Sequence, residues 1–304
     1  MMLRKALFLV AAMTAAPAFG QTAAPQAIRT DCLVRMSAVP AAWMIRGYDP
    51  FGTEIPQATF NVTFINDGGS ECRFVPLFEL SQPPFGLSKG TGKPIDYALV
   101  NLTDAQDITP RAGRSLRTPS LRELVLAPNE SKTLLYKLVA DPDDVREAGT
   151  FTQDVMIEAQ DRSFRSLGGT RIVLGLEVLP SARIGLAGAY SMNKGQALVD
   201  LGELRTGAAP VPLQLRVSST GSYDLQVTSA NSGKLRLGST EWVVPYSVSI
   251  GERTVNLVSP SQLSGPNGAG YHRDSLPIQF MIGDVSNRRA GTYSDVISIS
   301  VTAR

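Results

Sequence analysis

Ala290-Gly291-Thr292-Tyr293-Ser294-Asp295-Val296-Ile297-Ser298-Ile299-Ser300-Val301-Thr302-Ala303-Arg304 is the run from which the architecture is read. Tyr293, Ile297, Ile299 and Val301 share one parity, and Ser294, Ser298, Ser300 and Thr302 the other. A period of two, bulky on one side and small and polar on the other, specifies a half-buried strand. With nothing printed after it, such a strand is expected either at a sheet edge or awaiting a strand from elsewhere. Similar text stands earlier, at Ala148-Gly149-Thr150-Phe151-Thr152-Gln153-Asp154-Val155-Met156-Ile157, with one residue inserted before the Asp. Two copies of a strand-closing motif imply two copies of a domain.

Other short apolar runs fill the space between and before these copies. In the first half they fall near 59–65, 72–80, 95–101, 121–126, 132–139 and 151–159. The first of these is followed by the turn signal Asn66-Asp67-Gly68-Gly69. In the second half they fall near 198–204, 211–218, 222–229, 234–237, 243–250, 254–258 and 276–282. No segment sustains a 3.6-residue period over a helix length, so the expected fold is all-β, built as sandwiches. Between the halves, Ile172, Leu174, Leu176 and Val178 form a row of four large residues on one face. This row reads either as an ordinary edge or linker strand, or as a strand that completes the first sandwich in cis.

The chain of 304 residues starts with Arg4 and Lys5, an apolar run over 6–12, and Ala18-Phe19-Gly20, the pattern of a secretory signal. That run is too short to span a bilayer. The expected division is a signal peptide over 1–20, a flexible leader over 21–31, and sandwiches over 32–180 and 181–304, each large enough for its own core. Removing the signal takes the formal charge from +2 to about zero, which leaves no basic footprint for nucleic acid. Residues 21–179 hold sixteen Lys/Arg against nineteen Asp/Glu, and residues 180–304 eleven against eight. This asymmetry reads as head-to-tail attraction between subunits or as chance imbalance on solvated faces. Cys32 and Cys72 are the sole cysteines, and in an exported chain such a pair is expected to form a disulfide.

Nothing in the sequence supports an enzyme, a metal site or a cofactor. The one histidine, His272, sits in a Gly-rich stretch near Asp274 and Ser275, and sequence neighbours are not a triad. Lys89-Gly90-Thr91-Gly92-Lys93-Pro94 lacks the spacing of a phosphate loop, and Pro94 stands where a hydroxyl is needed. Asp141, Asp143 and Asp144 read as a solvated turn rather than paired catalytic carboxylates.

Several motifs in order give the chain a family likeness. These are Gly47-Tyr48-Asp49-Pro50 after Cys32, the Cys32/Cys72 spacing, Val199-Asp200-Leu201-Gly202, Asn231-Ser232-Gly233-Lys234-Leu235, Val244-Pro245-Tyr246, Leu276-Pro277-Ile278 and the closing Ala290-Gly291-Thr292-Tyr293-Ser294-Asp295. Together they resemble the spore coat protein U-like domain of pilin subunits in archaic, Csu-type chaperone-usher pili, over nearly all of 32–304. The chain departs from the pattern in lacking both cysteines in its second half, in Leu201 where the family has Phe, and in the extra Gln153. The resemblance implies immunoglobulin-like β-sandwiches in tandem, the C-terminal one lacking its last strand. It also implies a periplasmic pilus chaperone, an outer-membrane usher and a donor strand from the neighbouring pilin subunit as partners. The acceptor groove is then expected along Tyr293, Ile297, Ile299 and Val301, filled by β-augmentation.

The expected function is that of an exported adhesive subunit at the pilus tip, which attaches the cell surface fimbrium to an abiotic or host surface and promotes biofilm formation. The tip position follows from the leader, where Ile28 is the only bulky apolar residue, too few for a donor strand. The alternatives are a shaft or adaptor pilin, or a spore-coat-like structural surface protein without a pilus. Phe85 and Leu87, in a Pro- and Gly-rich loop, and Trp43, just before the Gly47 turn, are the expected adhesive contacts. For Trp43 a place in the core is the stronger reading.

Overall fold

The computed structural model describes residues 31–116 and 122–304. The signal segment 1–20, all of the leader but Asp31, and the first residue of the expected strand 121–126 lie outside the described residues.

Two β-sandwiches follow one another along the chain. One sheet of the first runs, in spatial order, β1 (Val34–Ala38), β3 (Gln57–Asn66), β8 (Ser131–Ala140), β5 (Tyr97–Asn101) and β6 (Gln106–Asp107). The facing sheet runs β2 (Ala42–Tyr48), β10 (Ser166–Val178), β9 (Gly149–Gln160), β4 (Cys72–Leu80) and β7 (Leu124–Leu126). Alternation decides which side chains meet between the sheets. Along β8, Leu134, Tyr136, Leu138 and Ala140 point inward and are buried, while Leu135 between them is exposed. At the centre Trp43 stacks on Phe60 and Tyr136, with ring centroids 5.2 and 5.8 Å apart. Each large side chain so buried contributes about 1.5–3 kcal/mol. A disulfide joins Cys32 to Cys72, with Cα atoms 5.2 Å apart, and ties the start of β1 to the start of β4.

Strand β10 closes this sandwich. It pairs antiparallel with β9 from Ser166↔Gln160 to Val178↔Gly149, and parallel with β2 from Val173↔Ala42 to Val178↔Tyr48. Ile172, Leu174, Leu176 and Val178 are all buried. The row lies inside a sheet, hydrogen-bonded on both sides, rather than in a linker.

The second sandwich has its own core, which shares no residue with the first. Its larger sheet runs β11 (Ala182–Gly188), β15 (Leu213–Gly221), β21 (Ala269–Ile282), β18 (Val243–Ile250), β17 (Lys234–Leu237) and β22 (Tyr293–Ser294). The short β14 (Gly207–Ala208) joins β21, and β19 (Arg253–Val255) joins β18. The facing sheet has three strands, β20 (Ser261–Ser264), β16 (Tyr223–Ser229) and β23 (Ile297–Ala303). A separate hairpin, β12 (Ser191–Asn193) with β13 (Gln196–Leu198), follows β11. The expected strand over 198–204 is not formed. Only Leu198 of it belongs to a strand, and Val199, Leu201 and Leu204 pack against the core from an irregular segment. His272 lies in β21 opposite Ser219, not in a loop. No helix among the described residues is long and apolar enough to cross a membrane.

Candidate functional site

The feature that sets the second sandwich apart is the outer edge of β23. This strand pairs antiparallel with β16, from Ser229↔Ile297 to Tyr223↔Ala303, and has no strand on its other side among the described residues. Beyond the ends of the ladder the Arg304 amide donates to the Ser222 carbonyl at 2.8 Å, and the Ala230 amide to the Val296 carbonyl at 2.9 Å. Backbone groups in an antiparallel pair alternate between facing the partner and facing away. Ser298, Ser300 and Thr302 therefore direct their N–H and C=O groups to β16, as do the Val296 carbonyl and the Arg304 amide, while Ile297, Ile299, Val301 and Ala303 direct theirs to the open edge. The same alternation turns the side chains of Ile297, Ile299 and Val301 toward the core, where they are only half-buried. The edge thus offers unpaired backbone groups and incompletely covered apolar side chains from one set of residues.

Across from it lies β11, the edge of the larger sheet, whose Cα atoms come within 8 Å of those of β23. Among the described residues it pairs only with β15, and the ladder ends are closed by Thr220 N–H to Ser181 O at 3.0 Å and Ala189 N–H to Pro212 O at 2.8 Å. Here Ala182, Ile184, Leu186 and Gly188 face outward with their backbone, the Leu186 carbonyl accepting the Tyr190 hydroxyl at 3.3 Å and the Gly188 carbonyl the Tyr190 amide at 3.2 Å, and Ile184 and Leu186 are again half-buried against the core. The two edges face each other with matching chemistry.

The first sandwich shows what a completed version looks like. Its β9, opened by the earlier copy of the Ala-Gly-Thr-aromatic motif, stands where β23 stands in the second. There the neighbouring place is taken by β10, and Phe151, Gln153, Val155 and Ile157 on the inward face of β9 are buried. The half-exposure of Ile297, Ile299 and Val301 is what remains when that neighbour is not there.

Tyr293 does not belong to this edge. It lies in β22 and pairs with Leu237 of β17, in the other sheet. The chain crosses between sheets at Asp295, whose carboxylate accepts the Ser229 hydroxyl at 2.5 Å, the Tyr246 hydroxyl at 2.6 Å and the Asn231 amide at 2.9 Å. Burial and the adjacent Asp295 charge push the Tyr246 pKa up, so the hydroxyl stays a donor to this carboxylate. Because the crossing takes two residues, Tyr293 keeps the parity of Ile297 while leaving its sheet.

Two of the expected adhesive contacts are in the core. Trp43 lies on β2 and is fully buried, and so is Leu87. The loop that carries Leu87 is stitched down on both sides. Leu87 and Ile95 exchange two backbone hydrogen bonds of 2.9 Å, as do Ser88 and Thr152. The extra residue Gln153 pins the loop's apex, donating to Pro84 O at 2.7 Å and accepting the Gly86 amide at 3.1 Å. Phe85 is half-buried with its ring 4.7 Å from that of Tyr97. The loop also packs beside Ala148 and Thr152, at the end of the sandwich where β10 leaves for the second domain. The opposite end is formed by the turns at 66–71, 127–130 and 161–165.

The residues missed from the sequence are Ile184 and Leu186 of β11, Asp295 and Gln153. The alternation Ala182-Arg183-Ile184-Gly185-Leu186 carried the signal for the first two. Among the described residues no group of three or more His, Cys, Asp or Glu side chains is placed to hold a metal ion.

Several of the solved structures with an overlapping fold are adhesins. One is the CsuC–CsuE chaperone–tip adhesion subunit pre-assembly complex from the archaic chaperone-usher Csu pili of Acinetobacter baumannii. It is 12% identical, covers 76% of this chain and 84% of that chain, and has a TM-score of 0.41. Another is the CupB6 tip adhesin from Pseudomonas aeruginosa, at 11% identity, 89% and 95% coverage and a TM-score of 0.35. A mutant of CfaE, the CFA/I adhesin of enterotoxigenic E. coli, overlaps at 14% identity, 86% and 91% coverage and a TM-score of 0.33. No protein-family model matches the chain. No curated protein sequence matches it either. The overlaps are loose, and the functional reading rests on the open edge.

Proposed function

We propose that this chain is an adhesive subunit of a chaperone-usher pilus, exported through the periplasm to the cell surface, whose second domain is completed by a strand from another chain. The observation that carries the reading is the facing pair of edges, β23 and β11, with outward backbone groups and half-buried Ile184, Leu186, Ile297, Ile299 and Val301. A strand laid there would satisfy the backbone groups and cover the side chains together, which is β-augmentation. An uncovered edge of this kind is otherwise an aggregation hazard. The occupant would be a periplasmic chaperone first and the donor strand of a neighbouring subunit later, delivered at an outer-membrane usher. The spore coat protein U-like motifs support the archaic, Csu-type class, and the leader with Ile28 as its single bulky apolar residue supports a place at the tip.

Co-expression with a periplasmic pilus chaperone tests the proposal. The wild-type chain should co-purify with it, and a peptide with bulky residues at alternate positions should displace the chaperone. A chain that stays monomeric and soluble by itself, and takes up neither chaperone nor peptide, would overturn the reading.

A further inference from the structure

The outer face of the larger sheet in the second domain, turned away from the core, carries charge of one sign. Alternation puts Arg183 of β11, Arg216 of β15, Arg273 of β21 and Lys234 and Arg236 of β17 on that face, all of them exposed. They are five of the eleven Lys/Arg in 180–304, and none of the eight Asp/Glu there shares the face. Asp274, beside Arg273 in sequence, points inward and accepts the Tyr223 hydroxyl at 2.7 Å. The ion pairs of this domain, Arg205 with Glu203 and Arg304 with Asp224, lie elsewhere. Three of the cations cluster at the end nearest the first domain. Arg183 and Arg273 are the register partners of Ser218 on its two sides, and Arg216 stands two residues from Ser218 along β15. Their Cα atoms are therefore about 8–10 Å apart, within a screening length at physiological salt.

Two of these guanidinium groups are held in place. Arg183 lies 5.2 Å from the Phe51 ring, and Arg273 lies 5.0 Å from the Tyr271 ring with its Nε donating to the Tyr271 hydroxyl at 3.3 Å. Gly185, the register partner of Arg216, leaves the space beside that side chain open. Lys234 and Arg236 stand at the opposite corner, roughly 35 Å away along the strands. Between the corners the face offers uncharged hydrogen-bonding groups, Gln214, Ser218, Ser247, Ser249, Ser275 and Gln279. A small anion would use one corner, whereas an extended polyanion reaches both. Guanidinium groups take carboxylate and sulfate in bidentate pairs, and the Ser and Gln side chains suit a backbone rich in hydroxyls. Among the strand residues of the face only Met281 is a large exposed apolar group that could enter a bilayer. Its one aromatic ring, Tyr271, is already packed against Phe51 rather than free to stack on a base. Nor does the first domain of another copy offer a matching acidic face, since Asp154, Glu158 and Glu79 on its sheet are paired with Arg171 and Arg114. We propose that this face binds an acidic polysaccharide, with its anionic groups on the arginines and its hydroxyls on the Ser and Gln side chains between the corners. The inference does not depend on whether β23 accepts a strand.

The test is binding of the full chain to immobilised polygalacturonate and heparin, with dextran as the neutral control and with duplex DNA and phosphatidylglycerol vesicles as other polyanions. At least one acidic polysaccharide should bind, more weakly as salt rises, and dextran should not. Changing Arg183→Gln, Arg216→Gln and Arg273→Gln together should weaken binding at least about tenfold, the worth of three exposed charge contacts, in a chain that melts close to the parent. Arg216→Gln alone, which disturbs no ring contact, serves if the triple variant does not fold, and it should weaken binding about threefold. Lys132→Gln with Lys137→Gln lowers the net charge on the first domain instead and should leave the affinity within about twofold of the parent. No binding to either acidic polysaccharide, the same affinity in the arginine variants, an equal loss in the lysine variant, or binding of DNA or vesicles at least as tight at equal anion concentration would overturn the inference.

Discussion

Gln153 shows how one residue redirects a loop. Its amide holds Pro84 and Gly86, and that anchoring brings Leu87 into the core. Replacing it with Ala leaves the buried Gly86 amide unmet and frees the more exposed Pro84 carbonyl, so Gln153→Ala should destabilise the first domain by about 1–3 kcal/mol. This should appear as a lower melting temperature, with faster proteolysis in the loop. The double change Phe85→Ser with Leu87→Ser removes a buried leucine and should cost at least 2 kcal/mol, about what core truncations cost. A variant that melts like the parent would contradict the packing of this loop. In the second domain, Ile299→Asp would place a carboxylate where the half-buried isoleucine faces the core. It should abolish co-purification with a chaperone while the first domain still unfolds at its usual temperature. Normal capture would remove Ile299 from the proposed groove.

At the level of elements, β10 and β23 form a natural pair of experiments. If the place beside β23 lacks only a strand, one can be supplied. Adding a copy of residues 170–178 after Arg304 through a Gly/Ser linker should complete the second sandwich and make chain solubility independent of a chaperone. A scrambled copy with the same composition should not. The strands themselves were legible in the sequence because period-two alternation survives wherever one face is buried. The row Ile172, Leu174, Leu176 and Val178 could be read in two ways, since its pairing on both sides depends on β2, far away in the chain. Tyr293 was misplaced because a sheet change over two residues preserves parity. The loop at 81–88 was misread because Pro and Gly signal a turn but not whether the turn folds inward.

The whole molecule has two cores without shared residues, and the disulfide belongs to the first alone. Heating should therefore give two transitions, and reduction should shift only one. Closing a loop with a sequence separation of 40 is worth roughly 3–4 kcal/mol in the chain-entropy model. A reduced sample in which both transitions moved equally would argue for a single cooperative unit. The domains touch where the Phe51 ring meets Tyr271, at 5.7 Å between centroids, and the Arg183 guanidinium, 5.2 Å from the Phe51 ring. The connection between them begins at Val178, the last residue of β10. A pull on the second domain, with the far end of the first held fast, would therefore draw on β10 along its own axis. The strand is bonded lengthwise to β9 on one side and to β2 on the other. Its hydrogen bonds would share that load in shear instead of opening one at a time like a zipper. Rupture should then be limited by a high unfolding barrier, and the join between the domains would be mechanically the strongest part of the first sandwich.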